Sequence, residues 1–402
     1  MKIALIAPEI LPVPPISGGA VEIYIDAIAK RLARMHQVTI FSIADPSLAK
    51  SETQNGVHYV RLKSNRKETD QLQYLNRIVA HLHHTGETFD ILELFNRPEF
   101  VLPLREAGIK SPLLLSMHSN FPVHRFSNEQ INTIIKEVAF IPTVSSFVGT
   151  TIACEHPKAC NKICPIHSGV DLDVFLPHWS DYGRQMRSEV RTSLSINDND
   201  PVILFAGRLH PSKGLHVLLR AMPQILPSNP RLRFLIAGGR WYGSNEADRY
   251  VRIVKSLAAR WHENIRFLKW VSYPAIARFF LAADFFISAS QFEEPLGRVH
   301  CEAMACGLPI IASNKGGIGE IVNSETTGLL VDDYENPTAF ANAVNRLLAD
   351  PDGMKAMGVR AYQIAIEQLS FDAVAEQISN LFQEATTNKA EECKLNITGG
   401  LR

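Results

Sequence analysis

The sequence predicts an α/β protein made of two doubly wound domains. Short apolar runs rich in β-branched residues alternate with longer amphipathic stretches along almost the whole chain. The alternation stops once, at HWSDYGRQMRSEVRTSLSINDNDP, and resumes at PVILFAGR, residues 201–208. The glycine pairs and charged residues of chemical interest fall just after the apolar runs. In open α/β sheets ligands bind beyond the carboxyl ends of the strands, so these residues stand where a site belongs.

A chain of 402 residues exceeds one ordinary domain. Its 41 basic and 41 acidic residues balance to zero net charge, which argues against a general nucleic-acid binder. No stretch approaches the length of apolar run that crosses a membrane. The opening MKIALIAPEILPVPP carries one Lys, is interrupted by Glu9 and lacks a cleavage region. It reads as a buried first strand of a cytoplasmic protein rather than a signal peptide. Three of six cysteines, Cys154, Cys160 and Cys164, cluster near His156 and His167. Their spacing lacks the paired C-x-x-C of structural zinc, so a surface turn with incidental thiols is expected and no metal site. Arg61, Lys63, Arg66 and Lys67 read as a solvated loop, with contact to anionic lipid as the alternative.

In the first half, KIALIAP opens as a strand and a Pro- and Gly-rich loop leads to a helix over about Val21–Arg34. Val21, Ile25, Ile28, Ala29 and Leu32 recur there at helical spacing. Strands follow at VTIFSI, VHYVRL, FDILEL, PLLLSMH and AFIPTVS, with helices between most of them. In the second half they fall at VILFAGR, RLRFLIAGG, IRFLKWV, ADFFISAS, PIIAS and GLLVD. This βαβα order implies parallel sheets with helices on both faces. The expected divisions are a first domain over 1–180, a linker over 181–200, a second domain over 201–368, a last helix over 369–386 and a flexible tail over 387–402.

The stretch QFEEPLGRVHCEAMACGLPIIASNKGGIGE, 291–320, sets two carboxylates, Glu294 and Glu302, about a helix start. Pro295 suits a first helical turn, and Gly297 lets a ligand approach the backbone. The free N–H groups of a helix start suit phosphate. The two carboxylates also fit a glycosidase acid–base pair. The surrounding cations and glycines favour a diphosphate, which as a leaving group needs charge stabilisation more than a proton donor.

Arg208 and Lys213, in GRLHPSKGL, offer a planar fork and a compact charge at a strand-to-helix turn; the bland alternative is two solvated cations. Gly18 and Gly19 follow the first strand and permit close backbone approach, but a flexible turn explains them equally, since G-x-G-x-x-G is absent. His118 ends a strand, placed to meet a sugar hydroxyl or steady charge unless it is structural. Gly238 and Gly239 end one strand; Arg240 and Trp241 after it, and Trp270 and Val271 at the end of the next, either line a base pocket or pack.

Together SGGAVE, GRLHPSKG, AGG and EEPLGRVHCEAMACGLPIIASNKGG resemble the GT-B glycosyltransferases of the large retaining family four, from Met1 to about Glu384. LPVPPISGGA, SGVDLDVF, RWYGSNE and EPLGRVHCEAMACGLPII are similar to spore-coat-associated members of that family in bacilli. The resemblance implies two Rossmann-like domains facing each other across a cleft that closes on the donor, with the last helix crossing back to the first domain. It implies a nucleotide-diphosphate sugar as donor, UDP the carrier, retention of anomeric configuration and no obligatory metal or other cofactor. Arg208 and Lys213 would bind phosphates, Glu302 the ribose hydroxyls and Glu294 the donor sugar. The amides near Arg298 and Val299 and the Gly19 loop would approach the phosphates and sugar, and His118 the transferred sugar. The acceptor, a glycan, lipid-linked or protein molecule, would bind the first domain; peripheral membrane or spore-coat association is left open.

The sequence departs from the family at Leu296, where relatives carry an aromatic, and at Arg298, where they carry an apolar residue. The added cation either alters donor choice or forms an ion pair. Two rival readings stand beside the enzyme: a coat protein that kept the fold and lost the chemistry, and a sugar-nucleotide epimerase on a similar scaffold.

Overall fold

The computed structural model describes residues 1–64, 71–121, 125–240 and 247–387. Trp241, Arg66, Lys67, most of the RWYGSNE motif and the tail after Thr387 lie outside the described residues. The chain forms two compact units: Met1–Ser168 together with the segment from Phe371, and Gly169–Ser370.

In the first unit, β1 (Lys2–Ile6), β2 (Gln37–Ile43), β3 (Ser51–Gln54), β4 (Val57–Leu62), β5 (Ile91–Phe95) and β6 (Leu113–Ser116) make one sheet, ordered β3-β4-β2-β1-β5-β6. Every pairing is parallel except β3 with β4. The apolar pattern predicts no strand at β3, because SETQ has no buried face; it runs at the edge and is held by its pairing with β4. β7 (Ile141–Thr143) and β8 (Ile163–Pro165) pair beside β6, joined through a Met117–Thr143 bridge. Helices α1 (Ala20–Leu32), α2 (Gln71–Thr85), α3 (Val101–Glu106), α4 (Asn128–Glu137) and α5 (Ser146–Glu155) complete the connections.

Arg61 corrects the solvated-loop expectation. It lies buried in β4, where it donates to Val13 O at 2.9 Å and Ala49 O at 2.6 Å and pairs with Glu52 at 2.7 Å. A guanidinium has enough donors to satisfy such a cluster from inside a strand, which a count of charged residues does not reveal.

In the second unit, β9 (Val202–Ala206), β10 (Arg233–Ala237), β11 (Ile265–Lys269), β12 (Phe285–Ser288), β13 (Ile310–Ser313) and β14 (Gly328–Val331) form a wholly parallel sheet, ordered β11-β10-β9-β12-β13-β14. Its helices are α6 (Asp181–Ser193), α7 (Leu215–Ile225), α8 (Arg249–Ala258), α9 (Ala277–Ala282), α10 (Arg298–Ala305), α11 (Ile318–Ile321), α12 (Pro337–Ala349) and α13 (Pro351–Gln368). Phe205, Leu218, Met222, Phe234, Phe340 and Val344 anchor its core, each 2% exposed or less.

The stretch expected to be a linker over 181–200 is largely helix α6. Ser180 caps it by accepting from Gly183 N at 3.0 Å. Its hold on the unit is polar: Arg187 and Arg191 pair with Asp284 at 2.5 and 2.9 Å, and Arg191 also donates to the carbonyls of Ala282, Asp198 and Asp200. A helix anchored by one buried and one half-buried guanidinium lacks the apolar stripe that marks helices in sequence.

The last helix, α14 (Phe371–Thr387), belongs to the first unit. Phe371, Val374, Ile378, Leu381, Phe382 and Ala385 form its buried stripe in the core that includes α1. Arg31 and Arg34 of the α1 end grip Asp372 at 2.8 and 2.7 Å.

Candidate active site

Each six-stranded sheet reverses its strand order near the middle, and the loops flanking the reversal leave the sheet side by side. In the second unit these loops follow β9 and β12. Gln291 N donates to Ser212 O at 2.7 Å across them. Gly214, at φ 67°, passes so near Ala289 O that a Cβ would lie 1.8 Å away, so a side chain there would force the loops apart.

That contact sets Lys213 against Glu294, Nζ to Oε2 at 2.6 Å, with the ammonium 4.8 Å from the Phe292 ring centre. Ser290 Oγ donates to the same carboxylate oxygen at 3.0 Å. The Gly316–Gly317 turn holds the backbone of Glu294: Gly317 N donates to its carbonyl at 2.8 Å, and Gly316, at φ 64°, packs on its peptide. The carboxylate is therefore fixed by two loops and one side-chain hydroxyl.

Helix α10 begins after Gly297, which sits at φ 85° and supplies no side-chain cap. Pro295 precedes the helix rather than occupying its first turn, so the positive-φ glycine sets the start. His300, not singled out from the sequence, braces this entrance. Its Nδ1 donates to Gly297 O at 2.8 Å, and its Nε2 accepts from Ser288 Oγ at 2.7 Å. Burial pushes the imidazole down to about 4, so the ring is neutral, with its proton on Nδ1 facing the carbonyl.

At the first residue of α10, Arg298 Nη1 stands 2.8 Å from Oε1 of Glu302, one turn on, and the guanidinium lies 5.2 Å from the Tyr273 ring centre. Glu302 is 3% exposed. Burial raises its carboxyl above the ordinary range, and the Arg298 charge acts in the opposite direction. The added cation of the sequence is thus an ion-pair partner of Glu302.

Arg208 follows β9 and is half-buried. Leu209 N donates to Gly239 O at 2.8 Å and Gly207 N to Ala237 O at 3.0 Å, so Arg208 and Gly239 leave the sheet together. The Arg240 side chain pairs with Asp248, the α8 cap, at 3.5 Å. Trp270 and Val271, beyond β11, and Val299, in the first turn of α10, are half-buried.

In the first unit the reversal lies between β1 and β5. Gly18 and Gly19 occupy positive φ, 88° and 110°, ahead of α1. A Cβ on Gly19 would meet the Glu22 carboxylate at 2.2 Å. Burial pushes Glu22 up to about 7, with its own backbone N–H and Arg97 pulling the other way. Glu9 and Arg97 form a buried two-pronged pair at 2.7 and 2.8 Å. Next to Arg97, Asn96 takes φ 55° and accepts from His118 N at 2.7 Å. The His118 ring packs 4.5 Å from Tyr24 and 5.8 Å from Phe95, and lost hydration pushes it down to about 4.

Among the described residues no group of three His, Cys, Asp or Glu is placed to hold a metal ion. Cys154 is an exposed and Cys160 a half-buried thiol. No helix among the described residues is long and apolar enough to cross a membrane.

Two doubly wound sheets, parallel but for the β3 edge, fit the GT-B class of fold. Residues 186–364 match the family model for glycosyl transferases group 1, and residues 17–174 that for glycosyltransferase family 4. The chain belongs to this glycosyltransferase family. It is 37% identical to Spore coat protein SA of Bacillus subtilis, over 96% of this chain and 100% of the relative. It is 36% identical to the putative glycosyltransferase YtcC of the same organism, over 98% and 94%. Among solved structures, Anabaena Alr3699/HepE in complex with UDP-glucose superposes with a TM-score of 0.75 at 22% identity, covering 96% of this chain and 100% of that one.

Proposed function

We propose that this glycosyltransferase moves a sugar from a nucleotide-diphosphate donor, UDP being the nucleotide, to an acceptor with retention of anomeric configuration. The observation that carries the reading is the set of groups on adjoining loops of the second sheet. Arg208 and Lys213 supply positive charge, α10 opens without a side-chain cap at Gly297, and Glu294 and Glu302 are buried beside it. The solved HepE complexes hold UDP and UDP-glucose, and the same donor class is assigned here by analogy of fold.

In this reading Arg208, Lys213 and the amides of Arg298 and Val299 meet the diphosphate, so that charge on the leaving group is stabilised without a metal. Glu302 accepts from the ribose hydroxyls. Glu294, committed to Lys213 and Ser290, suits an orienting group for the donor sugar better than a covalent nucleophile. Gly239, Arg240 and Val271 border the base. In the first unit, Gly18 and Gly19 permit close backbone approach to the donor, and His118 meets the transferred sugar as a neutral imidazole. The acceptor, a glycan, lipid-linked or protein molecule, is assigned to the first unit.

A second reading is favoured by the name of one relative, Spore coat protein SA: a coat-assembly protein on the same fold without the chemistry. Calorimetry with a panel of nucleotide sugars, with donor hydrolysis followed by NMR of the released sugar, separates the two. The enzyme reading expects a UDP-sugar to bind and the released sugar to appear first as the donor's own anomer. Failure of every nucleotide sugar to bind would overturn it, and an inverted or epimerised product would reject retention or transfer.

A further inference from the structure

Glu302 is asked to accept hydrogen bonds from two hydroxyls while almost fully buried. A carboxyl in that setting takes up a proton readily, and a protonated carboxyl offers a donor where an acceptor is needed. Arg298 and Cys301 share the helix of Glu302, Cys306 follows that helix, and Tyr273 comes from the loop after β11, with Asp171 reaching Tyr273 in turn. Both thiols are pushed upward by burial and by Glu302, so neither carries charge near neutral pH. Arg298 is the cation within this set.

Its geometry fits that task. The guanidinium approaches to 2.8 Å of Oε1 and is backed by the Tyr273 ring at 5.2 Å, with its side chain 12% exposed. Glu302 Oε1 and Arg298 Nε and Nη1 are nevertheless buried without a properly directed hydrogen bond. The pair is held by charge and stacking, leaving carboxylate capacity for another donor.

We propose that Arg298 is a positioning residue for Glu302: its stacked guanidinium supplies the counter-charge that keeps this buried carboxylate an oriented acceptor for the vicinal hydroxyls of the donor's ribose. The inference rests on the ribose role given to Glu302 above. Removing the charge lets Glu302 protonate, so nucleotide binding is lost as pH falls through a higher value than in the native protein. An opposite charge at this distance is worth about 1–3 pKa units.

The test is UDP affinity of the full chain by calorimetry from pH 6 to 9, for R298K, R298Q and E302Q. In R298Q the acid limb of UDP affinity moves up by about 1–3 pH units, weakening binding about 10-fold or more at pH 7 and restoring it toward pH 9. R298K, which keeps the charge, holds its limb near the native position. If R298Q keeps the native limb, or R298K shifts as far as R298Q, the proposal is overturned. E302Q separates the two levels: native UDP affinity in E302Q overturns the ribose assignment itself, whereas lost affinity in E302Q with a native R298Q overturns Arg298 alone.

Discussion

The two sheets share a reversal of strand order near the middle and differ at their carboxyl edges in how charge is settled. In the first unit Glu9 and Arg97 satisfy each other as a buried two-pronged pair, and His118 is a neutral ring enclosed by Tyr24 and Phe95. In the second unit charge is held ready. Lys213 is pinned by Glu294 and lies over the Phe292 ring, and Arg298 sits on Tyr273 beside Glu302 with incomplete hydrogen bonding. A shared reversal of strand order therefore fixes where a site lies and leaves open how charge is arranged at that edge.

The contrast breaks most sharply at Glu9. Replacing it with Gln leaves Arg97 buried beside an uncharged partner, and loss of such a pair costs about 3–5 kcal/mol. Chemical unfolding should show that loss; a change below about 1 kcal/mol would mean that the pair is not what sets this edge. In the second unit, Lys213→Ala should lower kcat about 10²–10³-fold, the effect of removing one preorganised group that stabilises transition-state charge. Rapid-quench measurement with saturating UDP-sugar checks this, and a loss under about tenfold would remove Lys213 from the leaving-group role.

A smaller effect is expected for Glu302→Gln. Hydrogen bonds to a charged group are worth about 1.5–3 kcal/mol, so UDP binding should weaken about 10- to 150-fold at pH 8. The smallest effect concerns the two histidines, His118 and His300, one in each unit and each pushed down to about 4. A histidine buried as the neutral form stabilises the fold at pH above its unfolded value near 6.5. That contribution declines as pH falls toward 4 and is gone below it. Their ring resonances should stay flat from pH 5 to 8; titration of either near 6.5 would contradict the burial argument.

Much of this was legible in sequence wherever signal and structure share a period. The parallel strands and the last helix are buried elements whose apolar spacing carries their identity. Elements held by polar contacts were not legible. β3 has four residues without an apolar pattern, and α6 is fastened by Arg187 and Arg191 to a single aspartate and to carbonyls. At the site, residue type and position pointed to Glu294, Glu302, Arg208 and Lys213. His300 stood inside the same motif, but a histidine between Val299 and Cys301 gives no sign that it ties Gly297 to Ser288.

By itself the sequence determined two alternating α/β units and the clustering of phosphate-compatible groups behind their strands, because burial periodicity and loop position are local properties of the chain. Tertiary structure alone decided the partners. That Lys213 meets Glu294, that Arg298 answers Glu302 rather than solvent, and that Arg61 lies inside a strand follow from which loops the strand order brings together. Pairing energies depend on distance and burial, which no local pattern encodes.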